Sequence, residues 1–341
     1  MPQHREPTLA DVASRAGVSL TTVSRVLNNR GYLSEVTKAR VAEAIKELRY
    51  RPNQVARALH GKSTQTVGVI VPTVSLPFFG ELSAQIEDAL AAHGYRTLIC
   101  NSLNRRDRER DYLDLLVSHR VDGIISGGHN EDLEEYSTIR LPLVTVDRDL
   151  SPTIANVRCA NEAGARVATS HLLSRGAGRP ALLTSRSGAH NRREAGYRAV
   201  LEEAGVDPLI ITVDFHTPDA QRATLVREHL DAVRNEIDSV FATDDLSAAD
   251  VLQWARERGL SVPGDVKVVG FDGTAALRRA LPGLTTIQQP IGAIARTAVD
   301  LVLEQITSLH DGDLPEPARS VIELPGTLIQ GRTTCSPTLR A

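Results

Sequence analysis

Acidic, basic and aromatic side chains recur just after short apolar runs in the larger part of this chain. Asp147 and Arg148 follow LVTV, Asp244 and Asp245 follow VFAT, and Asp272 follows VVGF. Phe78 and Phe79 come soon after VGVIVP, and Arg193 stands a few residues after ALLTS. Carboxylates accept hydroxyl protons, arginine donates to ring and hydroxyl oxygens, and aromatic faces cover C–H patches. Gathered in one cleft, such groups suit a sugar or polyol. An Asp at a strand end is also a common helix cap, and Asp245 is read as one. Catalytic chemistry has no comparable support. There is no Ser/His/Asp order, no metal-ligand spacing, no GxGxxG after a strand and no GxxxxGK[ST], and His171, His190 and His216 stand isolated. A second cluster lies near the start, where LTTVSR places Leu20, Thr21, Thr22, Ser24 and Arg25 close together. On an exposed helix these could read DNA. Ser and Thr bond bases or phosphates, Leu meets a thymine methyl, and Arg bonds guanine in two places.

The elements that must carry the second cluster are short. Thr8 with Asp11 reads as a helix N-cap, and Leu9, Val12, Ala13 and Ala16 then share one face. Gly17 supplies the turn. Ser19 caps a second helix running to Asn28, with Val18, Val23, Val26 and Leu27 on its apolar side. Ser34 caps a third, with Val36, Val41, Ala44, Ile45 and Leu48 expected to face inward. Two short helices joined by a tight glycine turn and closed by a third make a helix-turn-helix domain, in which the second helix enters the major groove. An ordinary three-helix bundle with a polar face has the same topology. Beyond it, Pro52 stops the third helix and Asn53 can cap QVARAL, a segment too short to be a stable helix alone in water. A flexible linker is the alternative.

From Thr66 the pattern changes to strands alternating with amphipathic helices. The expected strands are VGVIV, TLIC, GIIS, LVTVD, ALLTS, SVFAT and VKVVGFD, with helices at 79–92, 161–174, 190–204, 245–258 and 290–308. Such βαβ alternation makes parallel sheets with helices on both faces, and about 270 residues is long for one sheet, so two subdomains are expected. Open parallel sheets bind ligands at the C-terminal ends of their strands, the rule that selected the first cluster.

Composition is that of a soluble globular protein, 41% hydrophobic and 24% charged in 341 residues. No apolar run approaches the roughly 20 residues that span a bilayer. The start lacks the apolar core of a secretory signal, so a cytoplasmic protein without membrane contact is expected. Cys100, Cys159 and Cys335 are an odd set without close spacing, which suggests neither a metal site nor a disulfide framework. The net charge of −3 conceals about +6 on residues 1–64 and −9 on the rest. A basic head on an acidic body is the charge distribution expected if the head alone meets a polyanion.

At this point the residues match a family. ADVASRAGVSLTTVSRVLNNRGYLSEVTKARVAEAIKELRYRPNQVARAL closely resembles the DNA-binding segment of the lactose-repressor (LacI/GalR) family, almost without gaps from Thr8 to Leu59. The resemblance implies that Leu20, Thr21 and Arg25 read bases. It implies that Thr8, Ser19, Thr22, Ser24, Asn28 and Tyr32 mainly position the domain on phosphates. It also implies that the segment after Asn53 folds when two copies meet on DNA. Leu59 would then wedge into the minor groove, Ala56 would fit the same close contact, and Arg57 is a candidate phosphate contact.

More loosely, VGVIVP, PFF, VDGIIS, VDR, RREAGY, VPGDVKVVGFDG and LTTIQQP match the family core, which is similar to periplasmic sugar-binding proteins. By those matches Phe78, Phe79, Asp147, Arg193, Asp244, Asp272 and Gln289 contact the effector. Three positions depart from the family pattern: Leu76 and Asp244 stand where Asn is usual, and Gly273 where a second acid is usual. The resulting expectation is an N-terminal all-α helix-turn-helix domain (1–51), a hinge helix and linker (52–65), and an α/β core of two Rossmann-like parallel-sheet subdomains (66–334). The first subdomain takes 66–160 plus 290–324, the second takes 161–289 plus 325–334, and a tail covers 335–341. No leucine heptads follow the core, so a homodimer on a pseudo-palindromic operator in double-stranded DNA is expected. Neither cofactor nor metal is expected. Function, on this resemblance, is ligand-responsive transcription regulation, a repressor of carbohydrate-utilisation genes whose operator affinity a sugar or polyol changes. An enzyme using the same acids, or an exported solute-binding protein, are the alternatives. The second would need an export signal and no basic head.

Overall fold

The computed structural model describes residues 7–27, 33–50, 63–130, 133–215, 217–311 and 320–335. Asn28, Tyr32, Asn53, Ala56, Arg57 and Leu59 lie outside the described residues. The chain divides into two units, 1–64 and 65–341.

In the first unit the local signals set three helices. Helix α1 (Leu9–Ala16) begins at Thr8, whose side chain accepts from the Asp11 amide while Asp11 Oδ2 accepts from the Thr8 amide at 2.7 Å. It ends at Gly17, whose φ of 63° is left-handed and so favours glycine. Helix α2 (Leu20–Leu27) starts after Ser19, whose Oγ accepts from the Thr22 amide at 3.1 Å. Helix α3 (Glu35–Leu48) is capped by Ser34. Val12, Ala13, Ala16, Val23, Val41 and Ala44 are buried, with Leu9, Val18, Val26, Leu27, Ile45 and Leu48 packed round them. Val36 corrects the expectation, because it is 71% exposed. Residues 41, 44, 45 and 48 share a helix face, whereas 36 precedes 41 by five residues, about 140° round the helix.

The second unit holds two lobes, each with a six-stranded sheet. Lobe 1 contains β1 (Thr66–Val71), α4 (Pro77–Ala92), β2 (Arg96–Asn101), α5 (Arg106–Ser118), β3 (Gly123–Ser126), α6 (Glu135–Thr138), β4 (Leu143–Val146) and β5 (Ala155–Cys159). Lobe 2 contains α7 (Asn161–Ser174), β6 (Pro180–Thr184), α8 (Arg192–Ala204), β7 (Leu209–Thr212), α9 (Asp219–Ala232), β8 (Ser239–Ala242), α10 (Asp245–Glu257), β9 (Lys267–Asp272), α11 (Ala275–Ala280) and β10 (Thr285–Gln288). The chain then returns to lobe 1 for α12 (Ile291–Asp311) and β11 (Val321–Leu324), and ends in lobe 2 with β12 (Thr327–Ile329).

Sheet 1 runs β11-β5-β4-β3-β1-β2, with every pairing parallel. Sheet 2 runs β12-β10-β9-β8-β6-β7, parallel except where β12 pairs antiparallel with β10. The inner strands are apolar because both faces are covered; β1 and β4 are buried at every residue. Helix α12 lays Ile294, Ala298, Val299, Val302 and Ile306 into the core and packs on α4, β3, β4 and β5. Helix α7 packs on α8 and the lobe 2 strands. The chain passes between the sheets three times, after Cys159, after Gln288 and between Leu324 and Thr327.

Strand β5 has no counterpart among the strands expected from the sequence, because Asn156 and Arg158 interrupt its apolar run. Both are buried. Asn156 Nδ2 donates to Thr145 Oγ1 and to the Arg148 carbonyl, and Arg158 is paired with Asp149 and Glu323 at 2.7 and 2.9 Å.

Candidate DNA-reading face and ligand cleft

Helix α2 turns Val23 into the core and leaves Leu20, Thr21 and Arg25 outward, with Leu20 50% exposed; Thr22 and Ser24 are partly covered. The fold of the head leaves half of this apolar residue exposed. The Thr22 hydroxyl is 2.8 Å from that of Ser19, so these two flank the start of the helix together. The N-terminal amides of α2 and these hydroxyls form a donor-rich end suited to a phosphate. One contributor escaped the sequence reading. Arg40 of α3 donates to the carbonyls of Ala16 and Gly17, tying the turn between α1 and α2 to the third helix. Its partners are 23 and 24 residues away, beyond any local signal.

In the core, strand ends bring charged groups together. Arg193, in the first turn of α8, donates through Nε to Asn161 Oδ1 at 2.8 Å and through Nη1 to the Thr243 carbonyl. Its guanidinium lies 3.9 Å above the centre of the Phe271 ring. Asp272, the last residue of β9, has Oδ1 3.4 Å from Arg193 Nη1 and accepts from Gln289 Nε2 at 2.8 Å. Gln289 is 2% exposed. Asp147 follows β4 and Asp272 ends β9 with φ of 68° and 101°, left-handed values that a non-glycine residue adopts at a cost of order 1–3 kcal/mol. Both are held so at the ends of strands in the two lobes.

Electrostatics separates these acids. Burial pushes the Asp272 carboxyl well above its ordinary range, and the charges of Asp245 and Asp244 add to this against Arg193 and Gln289. Burial also opposes ionisation of Asp147, but the His129 side chain and the Arg193 charge outweigh it and hold Asp147 below its ordinary value. The cleft therefore offers one carboxylate as a ready acceptor and one acid that holds its proton more tightly.

The pair after β8 reverses the expectation. Asp244, not Asp245, caps α10: its Oδ1 accepts from the Ser247 amide at 2.7 Å and its Oδ2 from the Ser247 hydroxyl at 2.6 Å. Asp245 is 1% exposed, accepts from Thr286 Oγ1 at 2.6 Å and from the Gly273 amide at 2.8 Å, and is pushed by burial up to about 6. The helix starts at Asp245, as read, and the residue before it is the cap. The Asp244 carboxylate is thereby taken up by its helix, while Arg193, Asp272 and Gln289 converge.

Phe78 and Phe79 are buried at the start of α4 and meet edge to face at 5.0 Å. Phe79 lies 5.4 Å from His129, which lies 5.5 Å from Phe215, ring centre to ring centre. His129 follows β3 and Phe215 follows β7, so the strand-end rule would have selected both. β7 was not recognised as a strand, and His129 stands in the glycine-rich GGHN. Among the described residues, no three His, Cys, Asp or Glu are grouped so as to hold a metal, and no helix is long and apolar enough to cross a membrane.

Comparison with known proteins bears on the fold and the family. Residues 8–53 match the model of bacterial regulatory proteins of the lacI family, and residues 169–334 match the periplasmic binding protein-like domain. The sucrose operon repressor of Pediococcus pentosaceus is 41% identical over 331 residues, 96% of this chain and 99% of that protein. The ribose operon repressor of Halalkalibacterium halodurans is 38% identical over 304 residues, 88% of this chain and 90% of that protein. Among solved structures, the lac repressor dimer bound to operator and the anti-inducer ONPF is 27% identical, with a TM-score of 0.82 over 97% of this chain and 100% of that one. Helix-turn-helix head, doubled parallel-sheet core and full-length similarity point the same way, and the chain belongs to the lacI family of bacterial regulatory proteins.

Proposed function

We propose that this regulator binds a pseudo-palindromic operator as a homodimer, through Leu20, Thr21 and Arg25, and represses carbohydrate-utilisation genes under control of a sugar. The convergence of Arg193, Asp272 and Gln289 at the strand ends carries the sugar assignment. Arg193 and Gln289 donate, Asp147 accepts, and Phe78 and Phe79 supply a wall for C–H faces. Relatives named for sucrose and ribose operons support the same ligand class. The cleft binds rather than turns over its ligand, and the protein works in the cytoplasm beside the DNA it reads. Because both lobes contribute strand ends, a ligand changes how the lobes are held. By linkage, operator affinity and sugar affinity change by one and the same factor.

Selection from a random DNA pool, followed by titration of the recovered sequence with and without sucrose, D-ribose and other sugars, tests this. Recovery of a pseudo-palindrome, a steep salt dependence with about 0.9 in the log–log slope per phosphate neutralised, and a sugar-dependent change in affinity are expected. A pool that yields no symmetric site, or an operator affinity that no sugar moves, overturns it.

A further inference from the structure

The cleft also contains a side chain that the proposed sugar contacts leave aside. His129 leaves lobe 1 in the loop after β3 and reaches Phe215 of lobe 2, with Phe79 on its other side. Its Nε2 lies 3.7 Å from Asp147 Oδ2. That distance exceeds a good hydrogen bond, and an oxygen about 2.8 Å from both atoms would bridge it. Resting on the sugar-binding reading of the cleft, we infer that His129 is a specificity-determining residue: it and Asp147 together take one ligand hydroxyl, and Glu109 is the positioning residue that holds the imidazole in place.

The chemistry selects a hydroxyl. Facing a carboxylate, Nε2 carries a hydrogen and donates, while Asp147 can only accept. A hydroxyl oxygen accepts from the first and donates to the second. A carbonyl or carboxylate would satisfy the imidazole and face Asp147 with a second acceptor, and an ammonium would do the reverse. The flanking rings of Phe79 and Phe215 restrict the imidazole to one plane and meet the C–H edge of the same ligand.

The loop that presents His129 is anchored from behind. Glu109 of α5 is 0% exposed, and its Oε1 accepts from Tyr136 Oη at 2.7 Å while its Oε2 accepts from Asn130 Nδ2 at 2.8 Å. The His129 backbone amide also donates to it. Tyr136 Oη lies 2.7 Å from Ser126 Oγ, which accepts from the Gly128 amide at 3.2 Å. A Cβ on Gly128 would stand 2.2 Å from Glu109 Oε1, so this close approach requires glycine. A buried carboxylate given so many donors is a bolt on the backbone of residues 128–130, and the imidazole projects from the bolted segment.

Calorimetric titration of the full chain tests the assignment. Sucrose, D-ribose and cellobiose are titrated first, then the monodeoxy analogues of whichever binds most tightly. His129→Ala is expected to weaken binding about 10- to 100-fold, the range for a buried hydroxyl left short of one partner. One monodeoxy analogue should lose at least a similar factor on the wild type and a clearly smaller one on His129→Ala, where only the bond to Asp147 is left to lose. His129→Asn, which keeps an amide donor, should recover part of the loss and guards against misfolding of the alanine variant. Glu109→Gln should reduce the ratio by which that analogue is discriminated, an effect that vanishes once His129 is gone. If His129→Ala binds the sugar as tightly as the wild type, or loses every analogue equally, the assignment is overturned while sugar binding stands. If the wild type binds none of these sugars, the assignment and the sugar reading both fall.

Discussion

Replacing Asp245 by asparagine should make the protein more stable at neutral pH and leave it unchanged in acid. Asp245 is buried against Thr286 and the Gly273 amide, and its carboxyl is pushed up to about 6 from an ordinary 3.8. The sign follows from linkage. Below 3.8 the group is protonated folded or unfolded and contributes nothing. Between 3.8 and 6 the unfolded chain releases its proton while the folded one retains it, so stability falls as pH rises. Above 6 the whole cost is present, about 3 kcal/mol at about 1.36 kcal/mol per pH unit. Asparagine keeps an oxygen for the Gly273 amide and a donor for Thr286 Oγ1, so the fold loses little. Thermal unfolding of the two proteins should coincide near pH 4 and diverge near pH 7 by about 6 °C in favour of Asp245→Asn, at about 2 °C per kcal/mol for a unit of this size. An equal offset at both pH values, or a less stable variant at pH 7, would refute the buried-acid account.

Other perturbations act on different parts. Gly17→Ala forces alanine into a left-handed conformation and sets a Cβ 2.6 Å from Arg40 Nη2. The head should lose about 1–2 kcal/mol from backbone strain alone, seen as an earlier loss of helical circular dichroism in urea and weaker operator binding. Arg193→Lys cannot reproduce the contacts with Asn161, Thr243 and Asp272 or the stack on Phe271; calorimetry should show sugar affinity reduced at least 10-fold. Leu59→Ala removes the expected minor-groove wedge and should weaken specific operator binding in a footprint titration without lowering the melting temperature of the core.

What could be read from the sequence was local. Thr8, Gly17 and Ser34 announce helix ends because their partners lie within a few residues, and β1, β3 and β4 announce themselves by unbroken apolar runs. What escaped depends on distant partners. Asn156 and Arg158 obscure β5 until Thr145, Asp149 and Glu323 are brought beside them. Helix α5 begins with six charged residues, and one of them, Glu109, is the buried anchor that makes the helix matter. Asp244 and Asp245 are interchangeable in a string of letters; only the start of α10 decides which caps and which is buried. His129 takes its meaning from Phe79, Phe215 and Asp147, three elements no spacing rule connects.

The threefold passage between the sheets bears on how the protein is made. Lobe 1 needs α12 to cover β3, β4 and β5, and β11 to complete its edge beside β5. Both leave the ribosome only after all of lobe 2 except β12. At about 5–20 residues per second, the roughly 160 residues between Cys159 and Leu324 take about 10–30 s to synthesise. Through that interval the nascent first lobe displays the apolar floor on which α12 will rest, while the head is already free to fold. Ribosome-stalled chains ending near residue 290 should accordingly be cut by protease within lobe 1 much faster than chains carried beyond 335, and equal resistance would show that the lobe closes without its returning segments. Ordering of this kind makes the last-made part of the polypeptide the keystone of the first-made lobe.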